Sequence, residues 1–176
     1  GRGGRGGRAG GRMARIYTGV GRNIDREAHL RAGWQSLQTV FGPLTCSTVY
    51  ESDAVGFAGS PFYNLVIGAE TGMSVAEVCS ALREIEFRHG RPQPARKFSS
   101  RTLDLDLLCY DQLVLTTPVV LPRAEILLNA FVLRPLSELC PDYCHPVIGE
   151  TLAALWQRYD ASQQPLRAVD FSWPAA

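Results

Sequence analysis

Asp104 and Asp106 stand two apart in the apolar run Leu103-Asp104-Leu105-Asp106-Leu107-Leu108, with Arg101 just upstream. If the run is a strand, side chains alternate between faces, so both carboxylates point the same way, roughly 6.6 Å apart along it. Leu103, Leu105 and Leu107 then face a core. Two like charges on one half-buried face are costly unless a cation sits between them. Mg2+ is the natural candidate, because it takes one or two carboxylates and completes its octahedron with water and phosphate oxygens. That chemistry is metal-dependent phosphate transfer. A bare D-x-D is equally what an edge strand with a solvated polar face would carry. The cations around it, Arg91, Arg96, Lys97 and Arg101, favour the first reading, since they could close over a triphosphate.

Other chemistries find little support. The chain has no G-x-x-x-x-G-K-[ST], no G-x-S-x-G and no H-E-x-x-H. Gly19-x-Gly21 lacks the third glycine of a dinucleotide fingerprint and reads as a turn. Cys140, Cys144 and His145 have C-x3-C spacing with no second pair, which favours loop packing over a metal site. Five cysteines without a secretory leader point to reduced thiols and a cytoplasmic location, and no apolar run is long enough to span a bilayer.

Residues 1–12 contain only Gly, Arg and Ala and cannot build a core, so they are expected to be disordered. Such a tract suits RNA, and a non-native start before Met13 explains it as well; the second explanation is preferred. Without its four arginines, fourteen cations face seventeen acids, which argues against a nucleic-acid binder. The remainder, 13–176, is long enough for one domain with a substantial core.

The elements that must position the aspartates follow from periodicity. Ala14 to Val20 reads as a strand. Leu30, Trp34, Leu37 and Phe41 recur at helical spacing from Asp25 until Gly42-Pro43. Leu44 to Glu51 and Phe62 to Glu70 read as strands. Ser74 with Glu77 forms a capping box for a helix that buries Val75, Val78, Leu82 and Ile85 and ends at Gly90. His89 in its last turn is expected to be structural and favoured by the helix dipole. After the cationic loop 91–100, Leu103 to Tyr110 is a strand, with Leu113 to Thr116 as a hairpin partner. Asn129 to Leu139 and Thr151 to Tyr159 read as helices. The order predicts an α+β fold: a ferredoxin-like βαββαβ antiparallel sheet with helices packed on it and extra C-terminal helices.

Arg101-Thr102-Leu103-Asp104-Leu105-Asp106-Leu107-Leu108 resembles the signature of the 6-hydroxymethyl-7,8-dihydropterin pyrophosphokinases of folate biosynthesis. The resemblance continues in Gly21-Arg22-Asn23, Tyr50-Glu51-Ser52-Asp53-Ala54-Val55-Gly56, Phe62-Tyr63-Asn64 and Asn129-Ala130-Phe131-Val132-Leu133-Arg134-Pro135-Leu136-Ser137-Glu138. It implies diphosphate transfer from ATP to a pterin alcohol with release of AMP. Asp104 and Asp106 would hold two Mg2+ ions. Phe62 and Phe131 would sandwich the pterin, while Asn64 and the backbone of Ser52, Asp53 and Val55 would pair with its edge. Arg91 and Arg101 would clamp phosphates in the catalytic step, and Arg83, Lys97 and Arg123 would add ATP contacts. Offset stacking suits a planar heterocycle, and an Asn amide offers both a donor and an acceptor.

Five positions depart from the family pattern: Arg22 for serine, Ala54 for proline, Gln93 for arginine, Arg123 for histidine and Asn129 for a basic residue. Most concern expected ATP or loop contacts, and Arg123, Arg83 or Arg96 could compensate. The alternative they raise is a divergent pterin-binding paralogue with reduced or lost transfer.

Overall fold

Strand alternation organises the centre of the molecule. The computed structural model describes residues 12–22, 26–52, 62–90, 103–171 and 173. β1 (Ala14–Arg22) sends Ala14, Ile16 and Val20 to one face and Tyr17 to the other. It runs two residues further than expected, so Gly19 and Gly21 lie inside a strand and not in a turn. α1 (Arg26–Phe41) buries Leu30, Trp34, Leu37 and Phe41, and Gly42 then turns the chain at φ +78°, a value that favours glycine.

The single strand expected over Leu44 to Glu51 is two short ones, β2 (Thr45–Cys46) and β3 (Val49–Ser52). Both pair with β4 (Phe62–Thr71). The break falls where Ser47 uses its hydroxyl to accept from the Val66 N–H and Thr48 gives its N–H to the Glu138 carboxylate. Side-chain groups thus replace ladder partners. α2 (Val75–Arg88) is the predicted capping-box helix: Ser74 Oγ accepts from Glu77 N, and Glu77 Oε1 accepts from Ser74 N at 2.8 Å.

β5 (Asp104–Tyr110) pairs with β1 and carries one extra residue opposite the Tyr17–Thr18 step, so Leu108 and Cys109 both join the core on the second face. The expected hairpin with Leu113 to Thr116 does not form; Leu115 bridges to Leu121 instead. Along the outer edge of β5, α2 already occupies Leu105: Glu86 accepts its N–H and Arg83 donates to its carbonyl. α3 (Glu125–Leu128), α4 (Ala130–Leu139) and α5 (Leu152–Arg158) follow, then a 3₁₀ turn (Ala161–Gln163) and β6 (Arg167–Val169).

The result is a mixed α/β fold whose sheet runs β5-β1-β4-β3-β6, every neighbouring pair antiparallel, with β2 also on β4. Its strand plan departs from four simple strands through the β2/β3 split and the addition of β6. One core lies between the sheet and α1/α2, the other between the sheet and α4/α5.

His89 and His145 are structural, and the dipole effect expected at His89 is outweighed. Burial, then the positive charges of Arg22, Arg88 and His29, hold the His89 imidazole below its ordinary 6.5. Burial does the same at His145, whose Nδ1 accepts from the Val147 and Ile148 N–H groups. The unfolded chain therefore takes up these protons first. Stability is complete above about pH 6.5 and falls as pH drops through that value toward the lower folded-state values. Thermal melts from pH 7.5 to 5.5 should show a falling Tm. His145→Asn, which keeps an acceptor oxygen, should flatten the slope; an unchanged slope would remove His145 from the account.

Candidate active site

The register of three strands builds the floor of a cleft. Gly19 lies opposite Asp106 on one side and Val66 on the other; Gly21 lies opposite Asp104 and Asn64. Directly opposed residues share a face and sit about 5 Å apart, so each aspartate has a glycine beside it where another residue would place a side chain. A Cβ at Gly21 would stand 3.0 Å from Asn64 Oδ1. The two glycines therefore leave open the volume next to the carboxylates.

Asp104, Asp106, Asn64, Ser52, Phe62, Phe131 and Arg123 all line one cleft of about 750 Å³. Asn64 Nδ2 donates to Ser52 Oγ at 3.3 Å, which aims the amide along the sheet. Phe62 comes from β4 and Phe131 from the first turn of α4, which packs over the sheet. Both rings are only partly buried, leaving faces available to a planar ligand. The β5 side of the cleft is thus acidic, and the β4 side, beyond β1, carries an aromatic ring and an amide.

Arg123 bridges two carboxylates of this cleft, with Nη2 3.5 Å from Asp106 Oδ1 and Nε 3.2 Å from Glu125 Oε1. The short α3 turn places Glu125 there, and Arg123 N is anchored on the Leu108 carbonyl. Among the described residues, no group of three His, Cys, Asp or Glu side chains could hold a metal alone. The donor set is instead two carboxylates with open volume beside them. That fits Mg2+, which draws its remaining ligands from water and phosphate oxygens.

Not every expected residue comes to the cleft. Arg83 is not among the cleft-lining residues: its guanidinium holds the Leu105 carbonyl at 3.3 Å and Glu86 at 3.2 Å. With Glu86 accepting the Leu105 N–H at 2.7 Å, this pair fastens the residue between the two aspartates. Arg22 is buried, 2% exposed, and donates to the His89 carbonyl; it does not line the cleft. Asn129 does line it. Asp53, Ala54, Val55, Arg91, Gln93, Arg96, Lys97 and Arg101 lie outside the described residues, as do residues 1–11 of the Gly-Arg tract.

Gly19, Gly21, Glu125, Gln163, Gln164, Pro165 and Leu166 also line the cleft and were not anticipated. The spacing of the glycines, matching the D-x-D, was the available signal. Gln164 accepts from Ala130 N at 2.8 Å and donates to the Leu128 carbonyl at 3.2 Å, tying the C-terminal segment to the turn that carries Phe131. Gln164→Ala should cost about 1 kcal/mol in chemical denaturation, as one part-buried and one exposed hydrogen bond are lost. It should also raise KM for the aromatic substrate more than it lowers kcat. A KM equal to wild type would show that this strap does not position Phe131.

Comparison with known proteins agrees with the geometry. Residues 17–141 match the model of the 7,8-dihydro-6-hydroxymethylpterin-pyrophosphokinase (HPPK) family. The 2-amino-4-hydroxy-6-hydroxymethyldihydropteridine pyrophosphokinase of Aquifex aeolicus is 31% identical over 143 residues, covering 80% of this chain and 89% of that one. The enzyme of the same name from Pseudomonas aeruginosa is 34% identical over 138 residues, covering 74% and 83%. A crystal structure of Plasmodium falciparum HPPK-DHPS shares the fold, with TM-score 0.68 at 13% identity, over 84% of this chain. This chain spans 44% of the length of that solved chain. With a family match over most of its length and relatives above 30% identity, the chain belongs to the 7,8-dihydro-6-hydroxymethylpterin-pyrophosphokinase family.

Proposed function

We propose that this cleft transfers diphosphate from ATP to the hydroxymethyl group of 6-hydroxymethyl-7,8-dihydropterin, releasing AMP, as a step of folate biosynthesis. One observation carries the reading: two adjacent carboxylates over glycine floors share a single cleft with two partly buried phenylalanines and a strand asparagine. The family membership and the names of the relatives support the same reaction.

The pterin lies between Phe62 and Phe131, with Asn64 and Ser52 pairing to its polar edge. This orientation points the hydroxymethyl oxygen toward Asp104 and Asp106. The oxygen attacks the β-phosphorus of ATP, and the bond from that phosphorus to the α–β bridging oxygen breaks. Asp104 and Asp106 would hold Mg2+, two ions in our reading, and the bound metal would neutralise phosphate charge and acidify the hydroxyl. Arg123 contacts the triphosphate from the α3 side, and Arg91, Lys97 and Arg101, which precede β5 in the sequence, add their charge. Such a reaction depends on positioning and charge stabilisation more than on a general base.

We also read β1 to β5 as a ferredoxin-like unit, supported by the order β5-β1-β4-β3, within a single domain over 13–176. The small-molecule substrates fit a monomer without nucleic-acid partners, and no helix among the described residues is long and apolar enough to cross a membrane.

Incubation with Mg2+, ATP and the dihydropterin should give AMP and pterin diphosphate in equal amounts. AMP no higher than a pterin-free control would contradict the reading. A second reading, a pterin-binding paralogue without transfer, draws on the hold of Arg123 on Asp106. Tight calorimetric binding of pterin with no AMP formed would select it.

A further inference from the structure

We propose that Arg123 is a built-in counter-ion that competes with a divalent cation for Asp106, so that the metal is held firmly only when a nucleotide arrives to take the arginine. The inference rests on Asp104 and Asp106 being the metal ligands. Three observations lead to it. The guanidinium lies 3.5 Å from Asp106 Oδ1, inside the cleft that the carboxylates share. Its Nε is also held by Glu125 Oε1 at 3.2 Å, and the Arg123 backbone N–H is fixed on the Leu108 carbonyl. It is 28% exposed, so the pair is neither dry nor fully screened.

A planar guanidinium can serve two carboxylates at once, which an imidazole of ordinary pKa does less persistently. Asp106 therefore meets an incoming cation with part of its charge already compensated. Cation binding at Asp106 must displace Arg123, and the displaced guanidinium keeps Glu125 as its remaining partner in the cleft. A triphosphate offers that guanidinium bidentate oxygens, a stronger partner than the exposed Asp106 contact. Metal and nucleotide then support each other's binding: the nucleotide removes the competitor for the metal's ligand. In the absence of nucleotide the acidic pair binds free cation only weakly.

Mn2+ titration of the nucleotide-free protein, with the free ion read by electron paramagnetic resonance, tests this without reference to turnover. Arg123→Gln should bind Mn2+ about three- to fivefold more tightly than wild type, the size expected for losing a partly exposed ion pair. The same variant should bind Mg2+ with the non-hydrolysable α,β-methylene analogue of ATP about tenfold more weakly, because a charge-assisted phosphate contact is lost. The opposite signs are the signature; a merely misfolded variant would weaken both.

The Mn2+ ratio should persist in 0.5 M KCl, where the screening length shrinks to about 4 Å and distant charges no longer contribute. A ratio that collapses to one in salt reduces Arg123 to a general field and overturns the proposal. Mn2+ affinity in Arg123→Gln equal to or weaker than wild type also overturns it. Asp106→Asn separates this from the underlying reading. Loss of the Mn2+ site in that variant upholds Asp106 as a ligand, so the Arg123 comparison is decisive by itself. A site that survives Asp106→Asn overturns both.

Discussion

Asp104→Ala and Asp106→Ala are each expected to lower AMP release at least about a thousandfold, while pterin affinity stays within about twofold of wild type. The two effects separate because the carboxylates stand on β5, whereas Asn64 and Phe62 stand on β4 and Ser52 on β3, across β1 from them. Neither aspartate belongs to the buried cores; their neighbours Leu103, Leu105 and Leu107 do. Both variants should therefore fold, with thermal melts close to wild type. Steady-state AMP formation and calorimetric titration with pterin check the pair of expectations. Retention of a tenth or more of the wild-type rate by either variant would remove that carboxylate from the transfer step.

The second large effect is at Gly21. Gly21→Val should weaken pterin binding about a hundredfold with little loss of stability. Valine is favoured in strands, and β1 remains hydrogen-bonded on both sides through β4 and β5. Its Cβ, however, would stand 3.0 Å from Asn64 Oδ1, and its methyl groups would occupy volume beside Asp104. Asn64 would have to turn away from its Ser52 partner, and a polar ligand edge would lose its complement, which is costly in a site built to pair with it. Fluorescence or calorimetric titration with pterin reads the loss. Affinity equal to wild type would show that the ligand does not lie over this strand.

Much of the scaffold was legible because its signals are local. The capping box at Ser74 and Glu77 sits within four residues, and the buried stripe Val75, Val78, Leu82 and Ile85 follows directly from helical spacing. The alternation at Leu103 to Leu107 likewise sorted the two aspartates from the core leucines correctly. What escaped depends on partners distant in sequence. The break between β2 and β3 is made by Ser47 bonding to Val66 and Thr48 bonding to Glu138. Leu113 to Thr116 had a plausible strand pattern, yet Leu115 exchanges both backbone hydrogen bonds with Leu121, and the Leu108 carbonyl of β5 takes the Arg123 N–H instead.

The site divides in the same way. Asn64, Phe62 and Phe131 were visible through a resemblance, and the structure brings them into one cleft with the aspartates. Gly19 and Gly21 read as a turn because a glycine pair does not reveal which strands flank it; only the register with Asp106 and Asp104 gives it meaning. Arg83 carried the right charge for a nucleotide contact, but it follows the outer edge of β5 and not the cleft. The contribution of Gln163 to Leu166 could not be read from composition, since it is set by the hydrogen bonds of Gln164 to the turn before Phe131.

In the proposed reaction the carboxylate side of the cleft moves two phosphates together onto a pterin held beside Asn64. ATP labelled at the β-phosphorus tests it most directly. After incubation with Mg2+ and 6-hydroxymethyl-7,8-dihydropterin, the label should be found in the pterin product, with unlabelled AMP as the co-product. Label remaining in ADP, with an unlabelled pterin product, would show transfer of a single phosphate and contradict the account.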